Sequence, residues 1–298
     1  MLKFLYHSKT MKHPSVIMTV KALGALSLGI ILLFGCTGKA EKILVQEFNM
    51  QWTGDSRIFR EELLPGEIAG TRVEHVAYAG PVSEPVALTG GYTHILLFIK
   101  GNGVLSADAL SFSLEPETIA IPSAFRSVRV EVGENDTLHL LHFIKQLTAE
   151  DLEDLASFPA ENKYDIYFTR FSDCEAYTEK IKSPNTVSRT VLPADIIPRV
   201  SLGTVETKGP DAVGAHEHAM LDQLFLGLAG NDVTVHADDL SARFTEYSLL
   251  HIPIGSSHWV TVEENKKLYY MWMDFFLTRE GQEWLKTHKP VSRDMSSI

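Results

Sequence analysis

The segment Gly214-Ala215-His216-Glu217-His218 is followed by Gln223 and Gly230, and then by Pro253-Ile254-Gly255-Ser256-Ser257-His258. For these two segments to form one site, the chain between them must turn back on itself, and the spacing favours strands. Side chains alternate along a strand, so a His-x-His pair sends both imidazoles to one face. A turn near Met220 and Leu221 can return Gln223 on the next strand. The Pro253-x-Gly255 turn, with glycine supplying permissive backbone angles, can place His258 opposite. Three imidazoles and an amide make an N/O ligand set suited to a divalent metal such as Zn, Fe, Ni, Cu or Mn. One or two coordination positions stay open, as a catalytic metal requires. Asp222 is a rival ligand, but its parity points it outward, and Glu217 faces away for the same reason. A chance cluster of surface histidines leaves the matched spacings unexplained.

The rest of the chain is dominated by short runs rich in Val, Ile, Thr, Phe and Tyr with Gly and Pro between them. Residues 71–78, 94–99, 127–132, 199–206 and 247–252 are examples. Such a pattern predicts an all-β fold of sandwich or barrel type. Helical periodicity is confined to two places. Thr148 to Phe158 opens with a Thr-x-x-Asp cap and continues with Leu152 and Leu155, a short amphipathic helix. Thr278 to His288 carries Trp284 and Leu285 among charges, a terminal helix packed on the barrel.

The chain also repeats itself. Gln223 precedes Gly230 by seven residues and Pro253 lies 23 further on; His94 precedes Gly101 by seven, and Pro122 lies 21 further on. Two copies of one barrel fit this better than one large domain. Ala87 and Thr89 stand where the second copy has its paired histidines, so the first copy is expected to lack metal, with His94 a satisfied core or surface histidine.

At this level the chain resembles the cupin superfamily, specifically a two-domain bicupin. His216-x-His218-x4-Gln223-x6-Gly230 is similar to the first cupin motif with Gln in the usual Glu position, and Pro253-x-Gly255-x-x-His258 matches the second in full. The resemblance covers residues 199–276 well and 84–145 by pattern. It implies tandem all-β cupin domains with short peripheral helices and one metal ion held by His216, His218, Gln223 and His258. With four neutral ligands the metal would keep its whole 2+ charge and favour an anionic ligand.

Leu268 to Phe276 supplies a candidate proton carrier. Alternation sets Tyr270, Trp272, Asp274 and Phe276 on one face. A carboxylate among aromatics is costly unless it is hydrogen-bonded or functional; the competing reading makes Asp274 the cap of the helix starting near Thr278. His-x-His, Gln, His and then Asp-x-Phe is similar to the small cupins that convert 4,5-unsaturated uronates to open-chain keto sugars. That resemblance implies Asp274 as acid/base residue and Phe276 as a wall of the sugar pocket. The chain departs from those enzymes in having a second cupin domain and a lipid anchor. Arg199, at the start of the strand before the metal loop, is either a carboxylate clamp or an edge arginine. His251 is expected to pack or hydrogen-bond, and Trp259 to face outward, against the other domain.

Lys12, Lys21 and the apolar run Ala22 to Phe34 read as a secretory leader ending at Leu33-Phe34-Gly35-Cys36, which resembles the bacterial lipoprotein cleavage box, with Met11 the expected start. The alternative is an uncleaved single-span anchor. The expected organisation is leader and lipidated Cys36 over 1–36, a first barrel without metal over 37–160 and the metal-binding barrel over 161–298. A leader of 35 residues leaves 263 of 298, ample for a core without disulfides. Its four lysines depart with no acid, so the net charge moves from −11 to −15, which argues against nucleic acid as a ligand. With Cys36 lipidated, Cys174 has no partner and reads as an idle thiol.

The chain is thus expected to be exported and lipid-anchored to the bacterial envelope, outer membrane or periplasm-facing. Its expected partners are a small anionic substrate and the membrane, with a homodimer left open. The leading reading is a metal-dependent lyase or isomerase acting on an acidic sugar; an iron dioxygenase and a non-enzymatic, surface-tethered binding protein remain the alternatives.

Overall fold

Runs of branched and aromatic residues broken by Gly and Pro fold as antiparallel strands along the whole length. The computed structural model describes residues 42–52, 55–122, 127–160, 162, 166–178, 182–193 and 195–287, leaving out the side chains of 284–287. The leader, Cys36 and the side chains of Trp284 and Leu285 lie outside these. No helix among the described residues is long and apolar enough to cross a membrane.

The first half contains β1 (Leu44–Glu47), β2 (Ile58–Leu63), β3 (Thr71–Ala79), β4 (Val82–Ala87), β5 (Tyr92–Lys100), β6 (Gly103–Ala107), β7 (Leu110–Leu114), β8 (Thr118–Ile121), β9 (Ser127–Val132), β10 (Thr137–Gln146) and helix α1 (Ala149–Ser157). There follow β11 (Tyr167–Arg170), β12 (Ala176–Tyr177), β13 (Val187–Leu192), β14 (Val200–Lys208), β15 (Asp211–His216), β16 (Leu221–Gly227), β17 (Asp232–Ala237), β18 (Leu240–Thr245), β19 (Ser248–Ile252), β20 (His258–Val262), β21 (Lys267–Phe276) and helix α2 (Arg279–Thr287).

The strand orders make the duplication explicit. The large sheets run β11-β8-β5-β10-β3-β2 and β1-β19-β16-β21-β14-β13-β12, and the small ones β4-β9-β6-β7 and β15-β20-β17-β18. Each strand of the first half has its counterpart at the same place in the second. Two edge strands cross over: β1 pairs with β19 of the second half, and β11, which follows residue 160, pairs with β8 of the first.

Three apolar clusters hold this arrangement. One fills the first barrel between its large and small sheets, with Val76, Leu96, Phe98, Leu105, Val130 and Leu140. A second fills the other barrel, with Val205, Val235, Phe244, Leu250, Val260 and Leu268. The third lies where the backs of the two large sheets meet, with Leu97, Leu141, Phe143, Leu202, Leu224, Leu226, Met271 and Met273. Central strands of the large sheets are therefore buried on both faces. That is why β5 reads as an almost unbroken apolar run, whereas β9, on a small sheet, alternates strictly between exposed and buried.

Helix α1 forms where its capping pattern places it. The Thr148 side chain accepts from Asp151 N, and Asp151 reaches back to Thr148 N. Its packing differs from the amphipathic expectation: Leu152 is 52% exposed and Asp151 is fully buried. Asp151 takes two hydrogen bonds from Arg199, at 2.8 and 2.9 Å, and one from Lys145 at 3.0 Å. An ionic contact between helix and sheet, not an apolar stripe, docks α1.

The repeat sharpens one stability comparison. Gly101 and Gly230, equivalent in the two halves, both have positive φ, +79° and +82°. A methyl group at Gly101 would lie 2.0 Å from Thr137 O, whereas at Gly230 the nearest atom is Lys267 Cδ at 3.5 Å. Gly230→Ala should cost about 1–2 kcal/mol from left-handed backbone alone. Gly101→Ala adds a backbone clash and should cost at least twice that. Equal shifts of the urea midpoint would contradict this difference.

Candidate metal centre

The first histidine motif begins on β15 and ends off it. His216 closes the strand, opposite His258, the first residue of β20. His218 lies two residues beyond the end of β15, so strand alternation does not by itself orient it. Instead Gly255 N donates to His218 O at 3.0 Å, tying the two motifs together. Gly255 has φ +76° with no heavy atom near the position a Cβ would take, as the expected turn requires.

The ring nitrogens of His216, His218 and His258 come within 4.8 Å of one another. Ring centroids lie 4.3 Å apart for His216 and His258, 5.1 Å for His216 and His218, and 5.7 Å for His218 and His258. Backbone carbonyls set two of the tautomers. His216 Nδ1 donates to Gly214 O at 2.8 Å and His258 Nδ1 donates to Ser256 O at 3.1 Å, so each leaves its lone pair on Nε2. His258 Nε2 is buried and has no hydrogen-bond partner among the described residues. Burial first, then the neighbouring His216 and His218, push the His258 pKa down to about 3, against the opposing hydrogen bond to Ser256. A buried, neutral imidazole with its lone pair unspent is the form that binds a metal.

Gln223 is buried on β16, opposite Asp274 on β21. It lies on the same face as Phe225, whose ring meets that of His258 at 6.0 Å. Its Nε2 donates to Asp274 Oδ1 at 2.8 Å. With the amide nitrogen directed at the carboxylate, the carbonyl oxygen Oε1 is the end left for a cation. Asp274, 5% exposed, shares the barrel-facing side of β21 with Tyr270. Phe276, two residues further along, is buried at the strand end opposite Leu221. Asp274 does not cap α2: Gly281 N donates to Thr278 Oγ1 at 3.1 Å, which gives Thr278 that role.

Other candidates sort differently. Arg199 is neither clamp nor edge residue: it is 7% exposed and bound to Asp151, to Thr148 Oγ1 and to Leu277 O. Asp222 faces the seam between the large sheets, 3.8 Å from His251 Nε2, while His251 Nδ1 meets Glu67 at 2.8 Å. Trp259 does face outward, but it stacks on His236 of its own small sheet at 4.8 Å rather than on the other barrel. The Cys174 thiol is raised by burial and donates to Arg170 O.

In the first barrel, Thr89 N donates to His94 Nε2 at 2.9 Å, and His94 Nδ1 lies 2.9 Å from His142 Nε2. The backbone donor forces the His94 proton onto Nδ1, so both His94 nitrogens are spent within the protein. Burial lowers both pKa values, that of His142 to about 3. His142 had no place in the spacing argument. Its pairing with His94 is set by the register of β10 on β5, where His142 lies opposite Leu96 and His94 opposite Ile144.

No family model matches the sequence, and no curated protein matches it. Solved structures do. Oxalate decarboxylase from Lactobacillus farciminis, in a formate complex, aligns over 85% of this chain and 92% of its own, with TM-score 0.58 and 12% identity. The protein Ylba from E. coli aligns over 80% and 92%, at TM-score 0.59 and 12% identity. A cupin 2 conserved barrel domain protein from Leptotrichia buccalis aligns over 80% and 98%, at 0.55 and 12%. At such identities the likeness is one of fold: two all-β cupin domains in tandem with short helices.

Proposed function

Starting from a two-barrel cupin fold, we propose that the second barrel binds one divalent metal ion and converts a small anionic substrate, an acidic sugar such as a 4,5-unsaturated uronate, by proton transfer. The observation that carries this reading is His258 Nε2, a buried lone pair with no partner among the described residues, inside a cluster of three histidines. Such an orphan is costly in a barrel interior unless a ligand meets it. His216, His218 and His258 would hold the cation through nitrogen and Gln223 through Oε1. When bound, the cation supplies Lewis-acid polarisation of an anionic ligand.

The chain's own residues do the rest. Asp274 is the carboxylate available to take or deliver a proton, and the Gln223 amide holds one of its oxygens in place. Phe276, buried near it, excludes water from that end of the barrel. The net charge of −11 makes a local cation the natural means of attracting an anion. Export on a lipid tether at Cys36 completes the proposal, placing the centre outside the cytoplasm, where polysaccharide breakdown releases such acids.

The test is direct. Protein purified without chelators should carry one divalent metal per chain and should remove the ultraviolet absorbance of unsaturated uronates. Asp274→Asn should keep the metal and lose turnover by about 100-fold or more, the range of a general acid–base group. Failure to consume the chromophore with Zn, Fe, Ni or Mn loaded would eliminate this substrate class.

A further inference from the structure

A second array of buried titratable groups lies in the first half, and it ends at an open cleft. Glu61 Oε1 accepts from Asn49 N at 2.9 Å and meets His75 Nδ1 at 2.8 Å. A carboxylate oxygen only accepts, so the His75 proton sits on Nδ1 and its Nε2 keeps a lone pair. That Nε2 lies 3.1 Å from His139 Nδ1, which therefore donates, and the two rings stack at 5.3 Å. What remains is His139 Nε2, an acceptor with its tautomer fixed by a Glu–His–His chain. Burial lowers both histidine pKa values, that of His139 to about 4, which keeps both imidazoles neutral and the lone pair available.

His75 and His139 are 0% and 3% exposed, in a region where Leu, Ile and Phe would pack at lower cost. His139 lines a cleft of 550 Å³, within the range of small-molecule sites, walled by Met50 and Trp52 and bordered by Lys100 and Arg57. Asp136 also borders it, but three N–H donors from Asn102 and Thr137 already occupy its oxygens. Asp55 stands exposed at the rim. Lys100 Nζ has Tyr247 as a ring neighbour at 5.6 Å, and its charge is felt at His139.

We propose that this cleft is a second ligand site, separate from the metal centre, and that it takes a small hydroxycarboxylate. The hydroxyl donates to His139 Nε2 and the carboxylate sits against Lys100 and Arg57. A neutral polyol meets only the acceptor, and a simple carboxylate only the cations; a hydroxy acid meets both.

The experiment uses the full chain with chelator present, so that the metal centre plays no part, and titrates D-galacturonate against D-galactose. Histidine-ring 15N spectra should show a saturable shift of the His139 Nε2 resonance with galacturonate and at least tenfold weaker binding of galactose. Lys100→Met, at an exposed position, should weaken galacturonate binding about tenfold by calorimetry. His139→Phe keeps a ring against His75 and should abolish binding, while His258→Ala should leave it unchanged. No saturable shift, equal binding of the neutral sugar, or binding that survives in both Lys100→Met and His139→Phe would each overturn the proposal.

Discussion

His258→Ala should abolish tight metal binding while leaving the far-ultraviolet circular dichroism of the chain unchanged. The substitution removes a buried lone pair that no donor among the described residues satisfies, so it acts directly on the proposed ligand set. Losing an outer partner of a metal ligand typically costs 10–100-fold in affinity; losing the ligand should cost more than 100-fold. The difference is readable as stability. Metal at a hundred times its dissociation constant stabilises a folded chain by about 2.7 kcal/mol, a shift of roughly 5–10 °C in a chain of this size. Wild-type protein should show that shift on adding zinc, and His258→Ala should not. A variant that keeps the full shift would place the metal elsewhere. Gln223→Ala should fall between the two, because it removes the oxygen ligand and also frees the carboxylate of Asp274 from its amide partner.

The largest effect on folding is expected outside the proposed ligand set, at Asp151. This carboxylate is fully buried, and burial works against its ionisation. Hydrogen bonds from Arg199, the Thr148 amide and Lys145 outweigh that cost and hold its pKa well below the usual carboxylate range. Asp151→Ala would leave Arg199 and Lys145, 7% and 8% exposed, without their shared counter-ion. Breaking one side of a buried pair costs about 3–5 kcal/mol. The damage should reach the second barrel, since Arg199 also donates to Leu277 O and accepts from Phe276 N at the end of β21, which carries Asp274.

The pH dependence distinguishes this contribution from that of the histidines. A depressed carboxylate contributes fully above its unfolded value of about 4 and loses that contribution as pH falls through the lower folded value. The gap between wild type and Asp151→Ala should therefore be flat from pH 7 to about 4 and close below that. His258, His142 and His139, lowered by burial to about 3, 3 and 4, bind protons more readily when unfolded. They should weaken both proteins alike from about pH 6.5 downward and cancel in the difference. Thermal unfolding across pH 3–7 checks both statements; a gap that shrinks already between pH 7 and 5 would contradict the assignment to Asp151.

Local pattern carried much of the fold. Alternation in β20, the turn at Pro253 to Gly255 and the Thr148 cap all follow from neighbouring residues, and each lies where local rules put it. The repeat was legible for the same reason, because equal spacing between landmarks such as Gly101 and Gly230 survives without any knowledge of pairing. The helix α1 shows where local rules end. Its capping residues were legible, but its buried residue is Asp151, chosen by an arginine 48 positions away.

The sequence alone therefore marked this chain as two similar all-β barrels and named His216, His218 and His258 as one candidate ligand set. Both conclusions rest on periodicities and spacings within short segments. Tertiary structure decided the pairing of Gln223 with Asp274, 51 residues apart, the burial of Arg199, the exchange of β1 and β11 between sheets, and the Glu61–His75–His139 array. These depend on which strands become neighbours and in what register. A strand's own alternation fixes the face a side chain takes but not the residue it meets there.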